Sequence, residues 1–377
     1  LVPTWPASKI LWLKNHEPQI FEKTAKFLLI EDYFLHRLTG EYVTEGSLVT
    51  STCYWNFRTR GWWNEMLEQL GISEKQLPQY RESGETVGKL RPEIATELGL
   101  NPNTIACTGA LDQACGAIGV GNIKPGVFSE NTGAALAICA TINQPIIDPA
   151  DQMPCHYHGL PGLYMLHTFT SGGIVLRWFR DEFATMEMQV GKSSGMDAYD
   201  LMGLAAGKVI AGCEGLVMLP HLQGAMAPEA NPKASGVFYG FTLRHGRNHF
   251  TRAIMESVCF IVRRNIEVIE GLGVQVNEIR ALGGGARSRI WKQMEADIVG
   301  RPVLTTTNEE AATLGAAILA GKAVGLYSSV EEAAGKMIRI EERFEPTSSN
   351  RTIYDETFGT YVKLYDALCP LFETRQG

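Results

Sequence analysis

Asp112 is the residue of this sequence best placed for acid–base chemistry. It stands in Thr108-Gly-Ala-Leu-Asp-Gln-Ala-Cys-Gly-Ala-Ile-Gly-Val-Gly121, after the β-prone run Asn103-Thr-Ile-Ala-Cys107 and before the small and apolar Ala114, Cys115, Ala117 and Ile118. The grammar is strand, glycine turn, carboxylate, helix. A carboxylate so placed lies at the carboxyl end of a strand, where open α/β sheets put their ligands. Two roles are open to it. As an N-cap it would accept a free helix N–H. As a general base it would take a proton from a substrate hydroxyl, a contribution typically worth ~10²–10⁴ in rate.

Glycine turns are the second kind of signal. Gly283-Gly-Gly-Ala-Arg-Ser288 falls between an expected strand over 276–282 and an expected helix over 289–299. Three glycines there let the backbone approach a flat or anionic ligand without side-chain clash. The turn is neither a Walker A loop, lacking Gly-Lys-Ser/Thr, nor a Gly-x-Gly-x-x-Gly dinucleotide turn. Arg287 and Arg289 beside it read either as ligand contacts or as a solvated helix start. Residues 123–138 read as two strands around Asn131-Thr132-Gly133, either an ordinary hairpin or a nest of N–H groups facing an anion. Ser171-Gly-Gly173 opens a helix; it could receive an anion, but a close packing turn is the simpler reading. His156 and His158 stand two apart with no third ligand nearby, too little for a zinc centre.

The elements that must carry these residues follow from periodicity. Helices are expected from Ser8 to near Pro18, over 20–38 with Phe27, Leu28, Tyr33, Phe34 and Leu38 on one face, over 62–70, over 248–271 and at the end of the chain. Residues 185–195 read as a largely polar connection, and Trp12 and Trp55 as core residues. The 377 residues suffice for two domains. A net charge of −7 gives no chain-wide attraction to nucleic acid or an anionic membrane. No apolar run approaches the ~18 residues of a membrane span, and no signal peptide is recognisable. The eight cysteines form no Cys-x-x-Cys pair, so reduced thiols in a cytoplasmic protein are expected.

Several of these stretches resemble one family. Pro6, Lys9, Ile10, Trp12, Leu13, Asn15 and His16 are similar to the first signature of the FGGY carbohydrate kinases, with Thr4 where an aromatic, small or methionine residue is usual. Residues 27–42 resemble the xylulokinase branch. Gly236, Phe238, Gly240 and Phe241, with His249, resemble the second signature. The three-glycine turn with Ser288, Trp291, Gln293, Asp297, Gly300, Arg301, Pro302 and Val303 behind it resembles the family's adenosine loop.

The resemblance implies an α/β fold of two RNase H-like domains, of the actin and hexokinase type, around a cleft. Residues 1–107 would be the C-terminal part of the substrate-side domain, which is then incomplete. Residues 108–377 would be the nucleotide-side domain, its last helix reaching back to the first. ATP and Mg²⁺ are the implied cofactors, and a sugar or polyol the acceptor. Asp112 would be the catalytic base and a metal ligand. Gln113, Trp5 and Thr4 would meet the sugar. Ser129, Asn131, Thr132 and Gly133 would hold phosphates in place of the family's Ser-x-Gly-Thr-Ser-Gly, with Ala134 at its last position. Gly283, Gly284, Gly285, Ala286, Ser288 and Gln293 would hold the nucleoside. Ala225-Met226-Ala227-Pro228 replaces the Glu-Arg-Thr-Pro usual in xylulokinases, so gluconate, ribulose, glycerol and erythritol stay open beside xylulose. No Asp-x-Gly-Thr occurs in the sequence, and the expectation is a larger C-terminal portion of a kinase, inactive by itself. A homodimer stays open. The reading from another class is a nucleotide-binding protein that transfers nothing.

Overall fold

The computed structural model describes residues 3–374. The first portion, to residue 107, is assembled from short pieces. Helix α1 (Pro6–His16) starts on its proline rather than at Ser8, because a first-turn position needs no N–H. The helix expected over 20–38 is two, Pro18–Lys23 and α2 (Ile30–Thr39). Between them the chain bonds sideways: Phe27 N–H donates to the Gln76 carbonyl at 2.9 Å, and Lys26 Nζ to those of Lys75 and Leu77 at 2.7 and 2.9 Å. Asp32, in the first turn of α2, takes the Leu29 N–H at 2.8 Å, and Gly40 in the left-handed region ends the helix. Strand Val43–Glu45 pairs in parallel with Gln79–Arg81, and Thr86–Lys89 antiparallel with Ile105–Cys107. A small core gathers Ala7, Ile10, Tyr54, Leu67, Leu70 and Leu77. The face expected to bury Tyr33 and Phe34 is instead open, with Ile30, Tyr33 and Phe34 exposed. Trp55 is buried as expected, whereas Trp12 is 53 % exposed.

The second portion is organised by a seven-stranded mixed sheet. Its strands are β1 (Val127–Thr132), β2 (Ala135–Ile142), β3 (Cys155–Tyr157), β4 (Tyr164–Ser171), β5 (Glu278–Leu282), β6 (Val303–Thr306) and β7 (Ile340–Phe344), in the order β7-β6-β5-β1-β2-β4-β3. β1 to β4 are sequential antiparallel neighbours apart from the short edge strand β3. β5 joins β1 in parallel, with Leu282 opposite Asn131, so the three-glycine turn leaves the sheet beside the β1–β2 turn.

Helices cover both faces, as a sheet with apolar residues on each side requires. Among them are α3 (Asp112–Gly119), α4 (Ile174–Phe183), α5 (Arg247–Gly271), α6 (Arg289–Val299), α7 (Ala311–Ala323) and α8 (Arg351–Thr374). Alternate residues of β2 divide between the layers: Leu136, Ile138 and Ala140 join α5, α6 and α8 in the main core, while Cys139 faces Ala114 and Ala117 of α3. α3 and α7 cross through their small residues; a Cβ on Gly119 or Gly315 would strike the Ala311 or Cys115 carbonyl. Residues 185–195 are no loose connection, since Thr185–Ser194 is helical. The last helix packs on the second portion. α8 buries Tyr354, Phe358 and Tyr361 in the main core, and Arg252 of α5 donates to the Tyr354 hydroxyl at 2.8 Å.

Candidate active site

Asp112 is the first residue of α3, one place beyond the N-cap, which is Leu111. Leu111 offers no side-chain cap, and Asp112 takes one of the free first-turn N–H groups itself. Its carboxylate is exposed, and Oδ1 accepts the Gln113 N–H at 2.7 Å. The turn before it is tied to the first portion. Leu111 N–H donates to Ser47 Oγ at 2.7 Å, and Ser47 Oγ donates to Glu45 Oε1 at 2.6 Å. Glu45 is fully buried and also takes the N–H groups of Ser47 and Leu48 and the Ser83 hydroxyl. Burial raises the Glu45 carboxyl above its usual range, against four hydrogen bonds that lower it. Neither Glu45 nor Ser47 was legible as a site residue; a carboxylate inside the Thr/Ser-rich stretch was the one hint.

One histidine lies within reach of the carboxylate's charge, and a second histidine and an aromatic ring continue from it. Trp5 stacks on His156 with centroids 6.4 Å apart, and His156 meets His167 edge-on at 5.8 Å. The Asp112 charge reaches His167, whose pKa burial lowers and that charge raises. His167 Nδ1 lies 2.8 Å from the Ile138 carbonyl, so it carries the proton and leaves Nε2 free to accept. Burial, helped by His167, pushes His156 down to about 3, so it is neutral. His158 is engaged elsewhere, on the Asn122 carbonyl at 3.1 Å. Trp5 is thus linked to His167 through His156, and Gln113 is half-buried next in sequence to Asp112. Thr4 is exposed, with no contact that assigns it a role.

A cleft of about 350 Å³ opens between the three-glycine turn and the β6–α7 loop. Of the nucleotide residues expected, Asn131, Gly283, Gly284 and Ala286 line it. Gly285 is buried where a Cβ would meet Thr132 Cβ at 2.7 Å, so the glycine lets two turns touch. Four of the expected side chains have partners of their own in the structure. Ser129 lies inside the sheet, its Oγ taking a bond from Asn122 Nδ2 at 3.1 Å. The Thr132 side chain is turned inward, Oγ1 lying 2.5 Å from Glu130 Oε2. Ser288 is the N-cap of α6. Gln293 donates to Asp297 at 2.8 Å and to the Glu345 carbonyl at 2.9 Å, away from the cleft. Each was chosen by type, and each has a partner that type alone does not reveal. Gly133 stays at the turn, where the N–H groups of Gly172, Gly173 and Ile174 bond its carbonyl and that of Ala134; Ser171-Gly-Gly173 is thus a packing turn. Thr305, Thr306, Asn308 and Glu309 complete the cleft. Arg287 pairs with Glu309 at 2.5 Å across its rim, an exposed contact of small energetic weight.

Residues 1–119 match the N-terminal domain, and residues 132–324 the C-terminal domain, of the FGGY family of carbohydrate kinases. The chain belongs to that family. It is 34% identical over 358 residues to a xylulose kinase of Bacillus subtilis, covering 95% of this chain and 70% of the relative. To a gluconokinase of Bacillus licheniformis it is 33% identical over 367 residues, covering 97% and 71%. The structure of a ligand-bound xylulose kinase from Lactobacillus acidophilus superposes with a TM-score of 0.89 at 29% identity, covering 97% of this chain and 72% of that one. As an FGGY kinase the protein is a phosphotransferase acting on a carbohydrate hydroxyl with ATP as donor. Among the described residues no helix is long and apolar enough to cross a membrane.

Proposed function

We propose that this FGGY kinase phosphorylates a hydroxyl of a ketopentose or a related sugar or polyol, with xylulose the first candidate. The observation that carries the reading is the exposed Asp112 carboxylate at the head of α3, whose charge reaches His167, the end of a ring series through His156 to Trp5. Residues 1–107 serve as the substrate side and residues 108–377 as the nucleotide side. The nucleoside lies in the cleft against Gly283, Gly284 and Ala286. The phosphates face the Asn131–Gly133 turn through its backbone, since the Ser129 and Thr132 hydroxyls are committed inward.

Asp112 holds one oxygen on the Gln113 N–H, and among the described residues its other oxygen has no donor. That oxygen accepts the proton of the sugar hydroxyl as the hydroxyl oxygen bonds to the γ-phosphorus and ADP leaves. Positioning and charge neutralisation supply most of the rate in such transfers. Among the described residues no group of three or more His, Cys, Asp or Glu side chains could hold a metal by itself. Asp112 would be the residue to hold a magnesium ion brought in with ATP, and the ion would supply neutralisation of phosphate charge.

The test is a panel of D-xylulose, gluconate, D-ribulose, erythritol and glycerol, with ATP and the gene product that carries these residues, comparing kcat/KM. The expected result is phosphorylated sugar, with xylulose preferred. A gluconate preference favours the second reading, supported by the 33% identity to a gluconokinase. ADP binding with no phosphorylated product from any acceptor makes the protein a nucleotide binder and overturns the proposal.

A further inference from the structure

Beneath the contact of the two nucleotide turns lies an ionic cluster that the transfer reaction does not use. Lys292 of α6, Glu130 of β1 and Glu295 of α6 are each at most 1 % exposed. Lys292 Nζ donates to Glu130 Oε1 at 2.5 Å and also to Glu295 Oε2. The other Glu130 oxygen meets Thr132 Oγ1 at 2.5 Å. Thr132 in turn is the residue against which Gly285 packs, and Asn131 beside it packs on Gly283. One bonded path therefore runs from the helix behind the three-glycine turn, through the sheet, to the phosphate turn.

Stability alone gives no reason for ions at this place. Removing charges from water costs several kcal/mol per ion, and apolar residues of similar volume in place of a buried ion cluster are often as stable or more so. Hydrogen bonds have direction, which apolar contacts lack, and direction is what a nucleotide cradle needs. Burial and the Glu295 charge push the Glu130 carboxyl up to about 8 in spite of the Lys292 ammonium. A neutral amide at position 130 is then a close mimic, and the bond to Thr132 stays inward whichever oxygen carries the proton.

We propose that Glu130, Lys292 and Glu295 are positioning residues of the nucleotide site, holding the Thr132 hydroxyl inward and so locking the phosphate turn against the three-glycine turn. The proposal rests on the nucleotide assignment of the cleft. It goes beyond that assignment by giving Thr132 a role in which its hydroxyl touches no phosphate.

The experiment measures ADP binding in the presence of Mg²⁺ by calorimetry, together with the thermal midpoint. Glu130→Gln binds ADP within about threefold of wild type. The triple variant Glu130→Leu, Lys292→Met, Glu295→Leu keeps or raises the midpoint but loses affinity by about tenfold or more, although its Thr132 hydroxyl is intact. A folded triple variant with wild-type affinity overturns the proposal. Should that variant not fold, Thr132→Val and Thr132→Ser decide. With no nucleotide present, Thr132→Val speeds amide exchange at residues 283–287 and Thr132→Ser does not. Unchanged exchange in Thr132→Val leaves the hydroxyl without the positioning role and overturns it. If wild type binds no ADP, the nucleotide assignment itself falls, and the proposal with it.

Discussion

Asp112 and Asp32 are both carboxylates in the first turn of a helix, and their surroundings give them opposite uses. Asp112 is exposed and free to meet a substrate, so Asp112→Asn is expected to lower kcat by roughly 10²–10⁴. ADP affinity and circular dichroism should stay unchanged in the same preparation. Asp32 is 1 % exposed, with Oδ1 unpartnered, and burial raises its pKa from 3.8 to about 6. The sign follows from proton counting. Between these values the unfolded chain has lost a proton that the folded chain keeps, so stability falls as pH rises from about 4 to 6. Two units correspond to about 2–3 kcal/mol at most. Asp32→Asn removes that term while its amide oxygen still takes the Leu29 N–H. Urea titrations at pH 4 and pH 7.5 should show the variant gaining on wild type at the higher pH. An equal difference at both values would show that Asp32 titrates normally. Asp112 was legible because strand, glycine turn and helix are local patterns. Asp32 and Glu45 were not, because their burial is made by neighbours distant in sequence.

At the scale of elements, the crossing of α3 and α7 decides where Asp112 stands. The two helices touch backbone to backbone at Gly119 and Gly315, and α3 is only eight residues long. Gly315→Ala forces them apart and is expected to cost about 1–3 kcal/mol or more, with kcat reduced because the head of α3 moves. The control is Gly359→Ala in α8, where a Cβ meets nothing within 4 Å. There the helical gain of about 0.5–1 kcal/mol should appear instead. Urea midpoints check both, and a neutral Gly315→Ala would mean that the crossing adjusts freely. Helix boundaries illustrate what the sequence conceals. The stripe over 20–38 has a helical period, yet the chain breaks at 24–29 because Gln76, Lys75 and Leu77 offer bonding partners from 50 or so residues away. Periodicity reports the preference of a segment and is blind to a competing partner.

Over the whole molecule, the small core of the first portion and the large core around α5 are separate clusters. A ligand that binds only the folded second portion stabilises it by RT ln(1 + [L]/Kd), about 2.7 kcal/mol at a hundredfold excess over Kd. Calorimetry with MgADP should raise the transition of the large core and leave any earlier transition of the first portion in place. Both moving together would show that the cleft couples the two portions. The exposed Ile30, Tyr33 and Phe34 of α2 belong to this scale also, since their stripe has the pattern of a buried face and no cover among the described residues. Composition, glycine turns and the order of strands and helices determined by themselves the α/β class and the family, and pointed to Asp112 as the candidate base, because each is written in neighbouring residues. Only the tertiary structure decided which hydroxyls already have partners within the protein. Ser129, Thr132 and Gln293 had the right types in the right places, but a side chain follows its strongest partner. For Thr132 that partner is held by a lysine 162 residues further along the chain, and contacts of that range are fixed by packing rather than by local sequence.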